Sequence, residues 1–405
     1  MIVKINKSVA NGILKAPPSK SYAHRLLISS SLSKENSTIS NVELSNDIIA
    51  TINCLKALGK KIEYNKDNKT VYISHEYNFN ELNDEIILDA YESGSTYRFL
   101  IPISLLSGKK VIFKGTERLI QRGIGEYENI FKTQNIEIEK YSNYIILKGT
   151  LKPGVFELKG NISSQFITGL LFTLPLLNGD SKIILTTNLE SKNYVDITID
   201  VLKKSGIFIT EIENGYEIKG NQIYKPLNMS VEGDHSNAAF LDAFNYIGGK
   251  LELSGLNENS YQGDKVYKEF FEKLSKSYET IDISNCIDLG PILFCFASLM
   301  HGGHFVKTSR LKIKESNRIE AVKVELEKFG IEVIELEDEV FINNKNLHAP
   351  NDILYGQNDH RVVMSMSVMA SYFGGTIIGC EAVRKSYPNF FEDLKKVGIE
   401  VTYLD

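Results

Sequence analysis

Cationic and hydroxyl side chains recur at places in this chain where helices are expected to begin. In PPSKSYAHR, residues 17–25, Lys20 and Ser21 open a helix and Arg25 follows one turn later; in ESGSTYR, residues 92–98, a turn at Gly94 leads to Arg98. SSQF, residues 163–166, sets the hydroxyls of Ser163 and Ser164 and the amide of Gln165 at a third start, and NDHR, residues 358–361, opens a fourth with His360 and Arg361. LKIKESNR, residues 311–318, spaces Lys314 and Arg318 at i and i+4, which on a helix puts both on one face with Glu315 beside them. The chemistry these residue types suit is the holding of anions. A helix N-terminus presents N–H groups and partial positive charge, and arginine forks onto phosphate or carboxylate through two parallel bonds. Taken singly, most of these motifs read equally well as capped helices with snorkelling cations or as a solvated, salt-bridged face. NDHR is harder to read that way, because polar residues buried at a helix start cost stability unless they are used.

Two interleaved repeat series must position these residues. LKALGKKIEY, FKTQNIEIEK, LKKSGIFITE, FEKLSKSYET, LEKFGIEVIE and LKKVGIEVTY begin at 55, 131, 202, 271, 326 and 394. Each reads as the last turn of an amphipathic helix, a Gly, Asn or Ser at its end, and in most copies an alternating strand. The second series, SKSYAHRLLISSSLS, SGSTYRFLIPISLLSG, SSQFITGLLFTLPLLNG, DHSNAAFLDAFNYIGG, DLGPILFCFASLMHGG and NDHRVVMSMSVMASYFGG, starts at 19, 93, 163, 234, 288 and 358. All six open with Ser, Asp or Asn, which cap helices well, and their middles are apolar nearly all round, as in buried helices. Six copies predict an α/β protein of two domains with three units each, buried helices inside and sheets with amphipathic helices outside. The cationic residues then gather at one end of the buried helices, and a cleft between two domains is the expected place for the anions.

Composition narrows the partners. The 405 residues exceed the usual size of one domain, and 42% hydrophobic with 24% charged residues supply large cores. A net charge of −5 argues against a broad nucleic-acid-binding face. The longest apolar stretch, FITGLLFTLPLL at 166–177, is shorter than the roughly 18 residues a membrane-spanning helix needs, so no membrane partner is expected. MIVKINKSVANGILK carries no charged-then-apolar leader, and the four cysteines form no CxxC pair, so a reducing cytoplasm is expected. Cysteines and histidines are scattered away from ligand spacings, and neither a metal nor another cofactor is expected.

In order, PPSKSYAHR, SGSTYR, SSQFITGLL, SKNYVDIT, EGDHSNAA, LKIKESNR, NDHR and AVRKSYPNFF resemble the motif series of the EPSP synthases (3-phosphoshikimate 1-carboxyvinyltransferases), from about residue 17 to 392. The resemblance implies two domains of three βαβαββ units in an inside-out α/β barrel arrangement, with the active site in the interdomain cleft. Residues 15–228 would form one domain, and residues 1–14 with 229–405 the other. It implies transfer of the enolpyruvyl group of phosphoenolpyruvate to the 5-hydroxyl of shikimate 3-phosphate, a shikimate-pathway step toward chorismate. The protein would be a monomer without cofactor.

Carried over motif by motif, the resemblance places Lys20, Ser21 and Arg25 on shikimate 3-phosphate, with Lys20 shared by both substrates. Ser163, Ser164 and Ser191 would hold its phosphate, with Gln165 and Tyr194 nearby, and Asp288 and Lys314 its ring hydroxyls. Phosphoenolpyruvate would meet Gly94, Arg122, Gln165, Arg318, Arg361 and Lys385. Asp288 is expected as the base on the hydroxyl and Glu315 as the group exchanging the methylene proton, with Lys20 its competitor. Gly94 leaves room for the inhibitor glyphosate. The chain departs from the family pattern at Ile287, usually Pro, at Arg310 and Glu92, often Asn, and at Phe99, Pro in some members.

Two other readings stay open. The sister enzymes acting on UDP-N-acetylglucosamine resemble this fold but carry a reactive cysteine in a loop matching about 107–123, where SGKKVIFKGTERLIQRG has none. A non-catalytic anion-binding protein on the same fold would be expected to lose the acid–base residues, which Asp288, Glu315 and Lys314 retain.

Overall fold

Along Pro18–Glu232 the apolar and amphipathic segments become α1 (Lys20–Leu32), α2 (Asn46–Ala57), α3 (Gly94–Ser104), the short α4 (Glu117–Gln121), α5 (Gly125–Gln134), α6 (Ser164–Thr173) and α7 (Lys192–Lys204). These come from a computed structural model that describes residues 1–74 and 82–404. α1, α3 and α6 are buried along most of their length. Each starts where a serine closes its first turn: Ser19, Ser93 and Ser163 accept from the amides of Tyr22, Thr96 and Gln165. Such caps are worth about 1 kcal/mol each, and they decide where each helix begins. α5 and α7 bury one face only and stop where the backbone turns left-handed, at Asn135 (φ 54°) and Gly206 (φ 75°), conformations that Asn and Gly tolerate best.

Three sheets flank these helices, each with its strands in the order first, second, fourth, third. Glu85–Asp89 lies parallel to Lys110–Lys114, which is antiparallel to Tyr144–Lys148, itself paired with Glu137–Lys140. Val155–Leu158, Ser181–Leu185, Gly215–Ile218 and Ile209–Ile212 repeat the pattern. In the remaining sheet, Ser37–Ser40, Thr70–Ile73 and Ile62–Asn65 take their first strand from the far end of the unit, Asn228–Ser230, in the register Thr38↔Asn228.

The other unit joins Met1–Pro17 to Gly233–Asp405 and carries α8 (His235–Asp242), α9 (Tyr267–Leu274), α10 (Gly290–Leu299), α11 (Arg318–Glu327), α12 (His360–Phe373) and α13 (Phe390–Lys396). Its N-terminal strand Ile2–Ile5 runs antiparallel to both Gly375–Ile378 and Val401–Leu404, with Val3 and Ile5 fully buried. Asn11–Lys15 pairs in parallel with Lys250–Ser254. Here one copy is shortened. After α9 the next strand, Glu279–Asp282, pairs with Gly303–Val306 and opens the following copy, so Asn11–Lys15 and Lys250–Ser254 remain a two-stranded sheet. This accounts for the short gap between the copies that begin at 271 and 326. Among the described residues the six sheets stay separate and none closes into a barrel. No helix among them is long and apolar enough to cross a membrane.

Candidate active site

Each unit carries one cluster of the residues singled out in the sequence. In Pro18–Glu232, Lys20 begins α1, and its Nζ lies 2.7 Å from Oδ2 of Asp47 in the first turn of α2. Arg25, one turn on, is 2% exposed. Its Nε donates to Thr198 Oγ1 (2.8 Å), Nη1 to the Ser21 carbonyl (2.8 Å) and Nη2 to the Tyr194 carbonyl (2.9 Å), so it binds the start of α1 to α7. Phe99, where the family sometimes has Pro, supplies a ring 5.0 Å from this guanidinium. Burial lowers the Arg25 pKa to about 10.

The starts of α3 and α6 are coupled through Arg98. Its Nη1 donates to Gln165 Oε1 at 2.8 Å, and its Nη2 to the carbonyls of Arg122 and Gly123, each at 3.2 Å. Gln165 Nε2 donates in turn to Ser95 Oγ (3.1 Å), which sets the amide's orientation. Arg122, at the end of α4, lies against the Gly94 backbone. A Cβ on Gly94 would sit 3.0 Å from Arg122 Nη2, so the absent side chain is what admits the guanidinium. Ser163 Oγ accepts as the α6 cap and keeps its O–H to donate, Ser164 beside it is buried, and Ser191 precedes α7 in left-handed backbone (φ 55°) at 2% exposure. A serine held there is strained, and such positions are stable only where the surroundings determine them.

The cluster in the other unit centres on Arg318, which is 1% exposed. Its Nε donates to Asp359 Oδ2 (2.8 Å), Nη1 to Asp288 Oδ1 (2.8 Å) and Nη2 to Glu315 Oε2 (2.7 Å). Lys314 Nζ reaches the same Asp288 oxygen at 3.1 Å, and Arg361 Nη2 the other at 3.2 Å. Arg361 Nη1 donates to Ser236 Oγ, whose hydroxyl bonds the buried carboxyl of Asp264. Lys385 Nζ donates to the Asn358 carbonyl at 2.6 Å.

Two expectations need correction here. Lys314 and Arg318 do not share a helix face: Asn317 caps α11, which starts at Arg318, and Lys314 stands before it in extended backbone. They meet because both are drawn to Asp288. Nor does Asp288 cap α10. It lies in a 3₁₀ turn, Ile287–Leu289, and its carboxylate is taken up by the three cations. Of the departures from the family pattern, Ile287 is buried in this turn, and Arg310 donates to the Ser284 carbonyl.

The electrostatics follow from these contacts. Burial opposes the charge on Asp288, yet Arg361, Lys314 and Arg318 together hold its carboxyl well below the ordinary carboxylate range. Burial pushes the Lys314 ammonium down, against the pull of Asp288. On Arg318 burial is overcome by Asp359, Glu315 and Asp288, which hold it as a cation. Asp264, by contrast, has burial and the nearby Asp288 against its charge, and is raised to about 7. The arrangement offers two carboxylates, Asp288 and Glu315, on one arginine with further cations beside them, as required to move protons next to bound anions.

Sequence reasoning missed Asp47, Asp264 and the role of Asp359. Asp47 lies in the first turn of α2 and Asp359 caps α12, accepting from the Arg361 amide at 2.9 Å, positions that acids favour with or without a site. Asp264 stands alone in a polar loop and carries no local signal.

The model of the EPSP synthase (3-phosphoshikimate 1-carboxyvinyltransferase) family matches residues 5–394. The 3-phosphoshikimate 1-carboxyvinyltransferase of Clostridium acetobutylicum is 44% identical over 424 aligned residues, covering 98% of each chain. That of Clostridioides difficile is 40% identical, covering 98% of this chain and 97% of the other. Among solved structures, the EPSP synthase of Acinetobacter baumannii superposes with a TM-score of 0.80 at 21% identity, covering 99% of this chain and all of that one. The enolpyruvyl transferase NikO of Streptomyces tendae gives 0.78 at 11% identity, covering 100% and 98%; at such identities the likeness is one of fold. Full-length identity to curated relatives together with a near-full-length family match shows that this chain belongs to the EPSP synthase family.

Proposed function

We propose that the protein transfers the enolpyruvyl group of phosphoenolpyruvate to the 5-hydroxyl of shikimate 3-phosphate. The observation that carries this reading, beside membership of the family, is the pairing of Asp288 and Glu315 on one buried arginine, with Lys314 and Arg361 on the same Asp288 carboxylate. In this reading Lys20, Ser21 and Arg25 hold shikimate 3-phosphate, Ser163, Ser164 and Ser191 its phosphate with Gln165 and Tyr194 beside them, and Asp288 and Lys314 its ring hydroxyls. Gly94, Arg122, Gln165, Arg318, Arg361, Lys385 and the shared Lys20 receive phosphoenolpyruvate.

The 5-hydroxyl oxygen bonds to C2 of phosphoenolpyruvate, its proton passes to Asp288, and Glu315 gives a proton to the methylene carbon, with Lys20 the competing donor. The tetrahedral adduct then returns the methyl proton, expels phosphate and leaves the enolpyruvyl double bond. A carboxylate held as low as Asp288 is a weak base. Substrate anions sharing Lys314, Arg318 and Arg361 loosen that hold, so the base strengthens as the substrates bind. We place the protein in the cytoplasm, a reading supported by its four buried free thiols, and take it as a monomer on the family resemblance alone.

The test is phosphate release by the purified protein with both substrates and no added metal, beside Asp288→Ala. Release by the parent and a loss of about 10²–10⁴-fold in the variant are expected of a general base. A parent that releases none removes the activity; a variant as fast as the parent removes only the role of Asp288. Unchanged turnover in millimolar glyphosate at low phosphoenolpyruvate would reject the expected sensitivity.

A further inference from the structure

Glu325 is wholly buried, yet it has no part in the chemistry above. It lies two turns after Arg318 on α11, the spacing that returns to the same face of a helix. Its Oε2 accepts from Lys328 Nζ (2.8 Å) and from the Tyr355 amide (2.9 Å), and its Oε1 from Gln357 Nε2 (3.1 Å). A buried carboxylate is costly unless its partners are well placed. Apart from Lys328, which caps the end of α11, the partners named belong to one short stretch, residues 355–357.

That stretch is the strained approach to α12. Gly356 donates to the Ile378 carbonyl (2.7 Å), the Asp359 amide donates to the Gly356 carbonyl (2.9 Å), and between them Gln357 and Asn358 both stand in left-handed backbone, at φ 50° and 51°. Two successive non-glycine residues in that region persist only where their surroundings hold them. What the turn presents is functional: the Asn358 carbonyl receives Lys385 Nζ, the Asp359 carboxylate receives Arg318 Nε, and Arg361 follows within the first turn of α12. α11 thus grips both ends of the turn, Arg318 through Asp359 and Glu325 through Tyr355 and Gln357.

We propose that Glu325 is a positioning residue for the transfer reaction, clamping the left-handed Gln357–Asn358 turn so that Lys385 and Arg361 are set for the phosphoenolpyruvate anion. The identity of that anion rests on the function proposed above; the clamp itself does not. Glu325→Ala strips the buried partner from Lys328 and can unfold the unit, so Gln357 variants, which leave α11 intact, carry the test.

In the full-length protein, Gln357→Ala should raise KM for phosphoenolpyruvate by about three- to tenfold, the worth of one hydrogen bond, with kcat and KM for shikimate 3-phosphate within about twofold. Backbone amides of residues 357–361 should exchange faster with deuterium. Gln357→Glu sets two carboxylates face to face and should do worse on both measures. The exchanged pair, Glu325→Gln with Gln357→Glu, restores one donor and one acceptor and should recover toward the parent. Parental KM and parental exchange in both single variants would overturn the proposal, as would changes in all kinetic constants that merely follow a fall in Tm. If the parent proves inactive on these substrates, the functional reading falls, and the exchange data alone decide the clamp: unaltered exchange in Gln357→Glu rejects it, and faster exchange reversed by the exchanged pair upholds it.

Discussion

Asp264 and Asp288 share a neighbourhood and are driven in opposite directions. Asp288 has three cations on its two oxygens, whereas Asp264 has burial and the Asp288 charge against it, with Arg361 and Ser236 its main support. The folded pKa of Asp264, about 7, lies above its ordinary 3.8, so folding favours the protonated form. Its favourable contribution to stability is complete below 3.8 and is lost as pH rises through about 7. Asp288 runs the other way: its contribution is present above 3.8 and is lost as pH falls toward its depressed value. Asp264→Asn keeps an acceptor for Ser236 and cannot ionise. Its Tm should therefore gain on that of the parent between about pH 5 and about pH 8 in calorimetry, and a gap that stays constant would contradict the raised pKa. At Gly94 the prediction is steric. Gly94→Ala puts a methyl 3.0 Å from Arg122 Nη2, and the guanidinium is the part that can yield. A shift there should raise KM for phosphoenolpyruvate by about tenfold while leaving stability within about 1 kcal/mol; parental KM would show that Arg122 does not serve that substrate.

The elements place these residues through their ends. α1, α2 and α3 are joined by a chain of buried hydroxyls: His24 Nδ1 to Thr51 Oγ1 (2.8 Å), Thr51 to Thr96 Oγ1 (2.6 Å), and Thr96 to Ser93 Oγ (2.7 Å). Burial, with Lys20 and Arg25 close by, keeps the His24 imidazole neutral. Ser93 has two duties, capping α3 and ending this chain. Ser93→Ala should therefore cost about 1–2 kcal/mol in urea unfolding, at the high end for a lost cap, because a buried hydroxyl partner goes with it. A loss below about 0.5 kcal/mol would mean that the bond Thr96 Oγ1 already has to the Asp47 carbonyl at 3.3 Å suffices for it.

At the scale of the whole chain, each unit has its own core. One core is drawn from residues between Tyr22 and Val231, the other from Val3 to Leu14 together with Ala238 to Ile399. The first unit is continuous in sequence, and Asn228–Ser230 completes the sheet begun by Ser37–Ser40. The fragment 18–232 should accordingly fold alone, with dispersed amide signals and a cooperative thermal transition. Fragment 233–405 lacks Ile2–Ile5 and so leaves Gly375–Ile378 and Val401–Leu404 with exposed, unpaired edges. It should aggregate or lack a cooperative transition. A fragment 233–405 that melts as sharply as 18–232 would show that the N-terminal strands are dispensable.

The sequence by itself determined the two interleaved helix series, four of the six caps (α12 is capped by Asp359 rather than Asn358, and Asp288 caps nothing), the points where the amphipathic helices stop, and, through its motif series, the family and the candidate site residues. These are local or periodic features: a cap bonds within three residues, and burial imprints its own period on the chain. Only the tertiary structure decided which charges meet. Lys20 finds Asp47 27 positions away, and Arg361 reaches Asp288 across 73, separations that leave no trace in local pattern. It also decided that Lys314 and Arg318 converge from outside a common helix, that one repeat stops at two strands, and that Asp264 and Glu325 are buried. An isolated acid looks the same in sequence whether it ends up in solvent or under a cation, because its surroundings are supplied by segments distant along the chain.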